Sequence, residues 1–175
     1  MKKHLPLIVL RVALVAVAAY VTGEAVADTP DNRHNVELTT FPVVASQAVA
    51  VDKSYFYAIS NTRIEKRDKE TGELIETWTA NKKEVSQKHF KHLNSGTVVE
   101  GKLYGAHSRF PLAPNDCSVE IFDVVGETMR HVQSIRMPAT HGSLTWIDRH
   151  KDGSWWMCYA VYGKTKNQQT KLIKY

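Results

Sequence analysis

Val51, Val99 and Ile147 each sit in a short apolar run, and they stand 48 residues apart. A repeat of that length leaves few folds open, because each copy must be one small unit that buries its faces against its neighbours. The first copy runs Ala48-Val49-Ala50-Val51, then Tyr55 to Ile59, Arg63 to Asp68, and Leu74 to Trp78. Asp52-Lys53-Ser54 and Glu70-Thr71-Gly72-Glu73 interrupt it as turns. Runs this short, rich in β-branched and aromatic residues and separated by turn formers, predict antiparallel strands joined as hairpins. The second copy offers Gly96 to Val99, Leu103 to Ala106, Ser118 to Asp123 and Val132 to Ile135. The third offers Ser143 to Ile147, Trp155 to Ala160 and Lys171 to Tyr175. No long helical period occurs after Asp28, so the expected class is all-β.

Four short strands every 48 residues is close to the blade of a β-propeller, in which antiparallel four-stranded blades cover one another's faces. The segments VDKSYFYAIS, RIEKRD and ETGELIETW, with VEIFD and a Gly-Glu turn in the second copy, resemble the repeats of lactonase-like and quinoprotein-dehydrogenase-like β-propellers. The resemblance spans about Gln47 to Tyr175 and implies architecture only. Glutaminyl cyclase propellers share the blade style, but no stretch here carries over their active residues. The predicted blades are 45–80, 89–136 and 140–175. The third copy lacks a fourth strand and the Asp that ends the third strand at Asp68 and Asp123. With about three blades, the expectation is the N-terminal piece of a longer propeller. A small open sheet or a homo-oligomeric ring are the alternatives.

The first residues predict export. Lys2, Lys3 and His4 precede an apolar run from Leu5 to Tyr20, broken by Pro6 and Arg11, and Ala25-Val26-Ala27 follows as a small-x-small cleavage site. Residues 1–27 are therefore read as a signal peptide helix cut after Ala27, and residues 28–44 as an N-terminal extension. A retained anchor is the rival, but Arg11 shortens the run below the roughly 20 apolar residues a span needs. The expected location is periplasmic or extracellular, with no stable membrane span after cleavage.

Removing Lys2, Lys3, Arg11 and Glu24 lowers the formal charge from +5 to +3. The remaining basic residues alternate with acids, as in Glu65-Lys66-Arg67-Asp68, and read as solvated strand edges and turns. Without a basic face, nucleic acid is not an expected partner. Cys117 and Cys158 could be bridged in an oxidising compartment or stay free, and neither has the CxxC spacing of a zinc or redox site.

Propeller ligands bind where the innermost strands begin. The register places Gln47, Ser95 and Ser143 at equivalent inner-strand starts, beside His92-Leu93-Asn94 and Thr140-His141-Gly142. His107-Ser108-Arg109 opens an insertion from Phe110 to Cys117. The candidate ligand site is therefore His92, Asn94, His107, Arg109 and His141. Its histidines could serve as general acid or base or bind a metal, and Arg109 could meet an anionic group. Scattered single histidines are poor grounds for a metal site, so none is expected. The competing reading is that these side chains satisfy loop backbone and line a wet channel. His89-Phe90-Lys91-His92 reads as surface loop, and Trp146, Trp155 and Trp156 read as packing between blades. No P-loop, GxGxxG or GxSxG motif occurs.

The functional expectation is an exported β-propeller that binds or scaffolds, its partner a protein or small-molecule ligand that the sequence does not identify. The alternative is a propeller hydrolase or lyase using the channel-mouth histidines. No cofactor can be named.

Overall fold

The computed structural model describes residues 39–175. Of two compact units, Met1–Thr39 and Thr40–Tyr175, the second carries every described element. The expected signal peptide, its expected cleavage site and most of the expected 28–44 extension lie outside the described residues.

The unit is all-β. Its strands are β1 (Ala48–Val51), β2 (Tyr55–Ser60), β3 (Arg63–Asp68), β4 (Leu74–Thr79), β5 (His92–Val99), β6 (Lys102–Ser108), β7 (Cys117–Asp123), β8 (Arg130–Met137), β9 (Ser143–Arg149), β10 (Trp155–Ala160) and β11 (Lys171–Lys174). They form three antiparallel sheets, ordered β1-β2-β3-β4, β5-β6-β7-β8 and β9-β10-β11. The third sheet has no fourth strand among the described residues, and no closed barrel forms among them. Strand β5 lies against both β1 and β9, so the first strands of the three sheets run side by side.

Turn chemistry sets these hairpins. Asp52 accepts the backbone N–H groups of Ser54 and Tyr55, and Asp68 accepts those of Glu70 and Thr71. Such side-chain to backbone bonds hold a reversal in place before any packing occurs. Glu100 and Gly101, both at positive φ, make the two-residue β5–β6 turn, whose twist suits flanking strands.

Two cores join the sheets. Tyr57, Ile59, Ile64 and Trp78 of the first sheet meet Leu93, Leu103 and Phe122 of the second. Trp78 stands edge-on to Phe122 at 4.8 Å and tilted against Phe90 at 4.9 Å. Between the second and third sheets lie Ala106, Val119, Ile121, Leu144, Ile147, Met157 and Tyr159. Gly96 makes the first junction close: a Cβ there would stand 3.0 Å from Ile59 Cδ1 and 2.9 Å from Leu103 Cδ1.

Some expectations are corrected here. Two charges of β3 are not solvated: Glu65 and Lys66 are buried. Lys66 crosses to the second sheet, where Nζ donates to the carbonyls of Val124 (2.7 Å), Gly126 and Thr128 (3.3 Å) in the β7–β8 turn. Its ammonium also lies 4.3 Å from the centre of the Tyr55 ring, a favourable place for a cation. Burial lowers the Lys66 pKa, and the carboxylates of Asp52, Glu76, Glu127 and Asp123 oppose that shift. Glu65 is neutralised by Arg67 at 2.8 Å and Arg63 at 2.5 Å. The predicted surface loop at His89 to His92 also fails. Phe90 is buried against Trp78, because the loop folds back over the junction of the first two sheets. Of the three tryptophans expected to pack between blades, Trp155 lies on Tyr104 at 4.6 Å between the second and third sheets. Trp146 is 42 % exposed, on the face of the third sheet turned away from the second.

Candidate functional site

Strand β5 begins at His92, four residues before the sequence pattern placed it, and β6 runs on to Ser108. His92, Asn94 and His107 are therefore strand residues, and alternation decides where each points.

His92 and Asn94 lead into a concavity of about 280 Å³ at the starts of the inner strands, lined by Gln47, His92, Asn94, Ser108, Phe110 and Tyr162. All three sheets contribute. Gln47 precedes β1, His92, Asn94 and Ser108 come from β5 and β6, and Tyr162 follows β10. Phe110 and Tyr162 meet at 4.5 Å and form an aromatic wall. The polar side is organised by Asn61, whose Oδ1 accepts from Gln47 Nε2 at 2.5 Å and lies 2.8 Å from His92 Nδ1. Asn94 Nδ2 donates to Ser108 Oγ at 3.1 Å and to the Leu144 carbonyl at 2.7 Å, tying the second sheet to the third. Burial and the Lys91 charge lower the pKa of His92, so the ring is neutral at physiological pH.

The other three predicted residues go elsewhere. Arg109 turns into its own loop toward Asp116, at 3.5 Å. His141 sits in the short 3₁₀ turn before β9, its ring 5.2 Å from Tyr159. His107 is buried inside the second sheet, at a cluster the sequence reading did not assemble.

That cluster centres on Glu120 of β7, which is fully buried. Oε1 accepts from Ser118 Oγ at 2.5 Å and lies 2.7 Å from His89 Nε2. Oε2 accepts from Ser134 Oγ at 2.6 Å and lies 2.8 Å from His131 Nε2. Burial opposes charge on Glu120, but the bonds from His131, His89, Ser118 and Ser134 outweigh it and hold the carboxyl well below the usual range. His107 completes the network. Its Nε2 accepts the Lys91 backbone N–H at 2.9 Å, which leaves the proton of the neutral ring on Nδ1. Nδ1 therefore donates to Ser118 Oγ at 2.9 Å, and the Ser118 hydroxyl in turn donates its hydrogen bond to Glu120. Burial pushes the His107 pKa down to about 3, with Glu120 pulling the other way.

Ligand atoms of His89, His107 and Glu120 lie within 4.8 Å of one another, a spacing that could hold a metal ion. The tautomer argues against it. A metal on Nδ1 of His107 would require the proton on Nε2, where the Lys91 N–H already points. The Ser118–His107–Glu120 set also does not form a nucleophilic triad. In a triad the serine gives its proton to histidine, whereas here histidine donates to serine. The cluster is a closed proton network that locks β6, β7, β8 and the His89 loop together.

Sequence reasoning passed over Glu120 and Lys66 because interleaved charges usually mean solvent. The available signal was position: Glu120 lies in Cys117-Ser118-Val119-Glu120-Ile121-Phe122, where apolar residues flank it on both sides. A charge inside such a strand must find buried partners.

No known protein family matches the chain, and neither does any curated protein.

Proposed function

We propose that this protein is an exported binding protein with propeller-type blades, and that its ligand site is the concavity at the inner-strand starts. The observation that carries the reading is convergence: Gln47 just before β1, His92 of β5 and Tyr162 shortly after β10, at the ends of three separate sheets, line one space. Shallow mixed pockets of this kind suit small ligands that offer hydroxyl or amide groups to the polar side and an apolar face to the aromatic wall. A neutral His92 with Asn94, Gln47 and Ser108 supplies donors and acceptors without net charge, which favours an uncharged polar ligand such as a saccharide or a short peptide amide.

The alternative of a hydrolase or lyase has less support. With His107 and His141 elsewhere, His92 is the one imidazole or carboxyl group among the six lining residues. General acid–base chemistry normally needs a second positioned group.

The test is ligand-induced stabilisation by a panel of neutral saccharides and peptide amides, followed by titration of Phe110→Ala, Tyr162→Ala and His92→Ala. Each substitution should weaken binding about tenfold or more, since each removes a stacking face or a directed hydrogen bond. Binding that survives all three would sink the assignment.

A further inference from the structure

We propose that the outer face of the third sheet docks the first sheet of a second copy of this chain, head to tail, by repeating the joint that already fastens the first sheet to the second.

Lys66 pairs across its sheet with Tyr57, lies 5.7 Å from the centre of that ring, and shares a neighbourhood with Asp52 in the β1–β2 turn. Lys174 holds the same position in the third sheet. It pairs with Trp156, lies 5.8 Å from the centre of that ring, and meets Asp152 of the β9–β10 turn at 3.1 Å. The two aspartates match as well: Asp52 accepts the Ser54 N–H and Asp152 the Ser154 N–H, both at 2.8 Å. The two sockets differ in what fills them. Lys66 is buried because the second sheet's turn carbonyls sit on it, whereas the Lys174 side chain is half exposed.

The rest of that face is also uncovered. Leu172 and Trp146, which share Cys158 as cross-strand partner, are both exposed. On the first sheet, the face turned away from the second exposes Val49 and Val51 beside Phe41 and Phe56, around a groove of about 270 Å³. Two apolar faces at opposite ends of one stack are the ends of a heterologous interface, in which one copy's tail meets the next copy's head.

The first sheet also offers what Lys174 needs. Lys69 stands where Val124 stands in the second sheet. Its N–H bonds the last residue of the neighbouring turn, Ser54, as the Val124 N–H bonds Gly101. The Lys69 carbonyl therefore matches the Val124 carbonyl gripped by Lys66. Glu70 and Glu73 in the same turn are acidic, facing Lys171 and Lys174 across the proposed joint.

The proposal rests on the fold and not on the ligand pocket, so each can fail alone. Sedimentation velocity of the full chain over a wide concentration range should show a species of twice the chain mass. Lys174→Glu should weaken association about tenfold by placing like charges together, and Glu70→Lys in the same chain should restore it. Leu172→Glu should also dissociate the pair while near-UV circular dichroism stays native. A monomer at every concentration overturns the proposal, and so does an association that Lys174→Glu and Leu172→Glu both leave unchanged.

Discussion

His107 Nδ1 lies 2.9 Å from Ser118 Oγ, on the directly paired residue of the next strand, and the proton between them belongs to the histidine. The direction of that one bond makes the serine a relay to Glu120. Ser118 should therefore be inert toward fluorophosphonate reagents in the native protein, and mass spectrometry after exposure should find it unlabelled. Ser118→Ala should cost about 1–3 kcal/mol, because it leaves a buried donor and acceptor without partners. Labelling at Ser118 would contradict the assigned proton direction.

The same network predicts an acid-sensitive fold. In the unfolded chain His107 takes up a proton below its ordinary value of 6.5, whereas in the folded chain it resists until about 3. The unfolded state then binds more protons, so stability falls as pH drops through that window, by up to ~1.4 kcal/mol per unit. Glu120, depressed from its ordinary 4.5, adds to the loss below that pH. Urea unfolding from pH 7.5 to 4 should show the decline. His107→Gln should lower stability throughout but flatten the slope between pH 6.5 and 4.5. An unchanged slope would remove His107 from the explanation.

Lys66→Met keeps an unbranched side chain, one heavy atom shorter, and removes the ammonium donors. The Val124 and Thr128 carbonyls would then lose a charged partner at a buried junction. A loss of about 2–4 kcal/mol is expected, read as a lower urea midpoint with unchanged m-value. A neutral result would mean that apolar contact alone holds the first two sheets together.

Both cysteines are free thiols. Cys117 is buried, donates to the Gly142 carbonyl at 3.0 Å and accepts the Leu144 N–H, and burial raises its pKa. Cys158, partly exposed on the third sheet's outer face, should react first with a maleimide, and Cys117 only on unfolding. An intact mass with no reactive thiol after denaturation would instead indicate a bridge.

The strand order of the first two repeats was legible because their turns announce themselves. Asp52-Lys53-Ser54 and the Asp68 turn carry their own capping bonds, which act locally whatever the rest of the chain does. The three-stranded third sheet was legible for the same reason. Strand ends were less so. β5 extends back to His92 and β6 on to Ser108 because Leu93 and Ala106 are drawn into two separate cores, a tertiary effect without local signature. Of the expected site, His92 and Asn94 reach the pocket with Gln47. His107 does not, since the longer β6 turns it inward to Ser118. The buried partners of Lys66 lie 58 to 62 positions away, and those of Glu120 come from its own strand, from β8 and from the His89 loop, so an apolar flank shows that a charge is buried but not which groups meet it.

The grip of Lys66 falls on peptide carbonyls, which every residue possesses. The exposed side chains of Val125, Glu127 and Thr128 can therefore change without loosening that grip, provided the loop keeps its length, whereas Val124 is held by the core and Gly126 by its positive φ. Adding or deleting one residue there would move the oxygens off their cation at once. The tolerance of this joint is to substitution, and its vulnerability is to insertion.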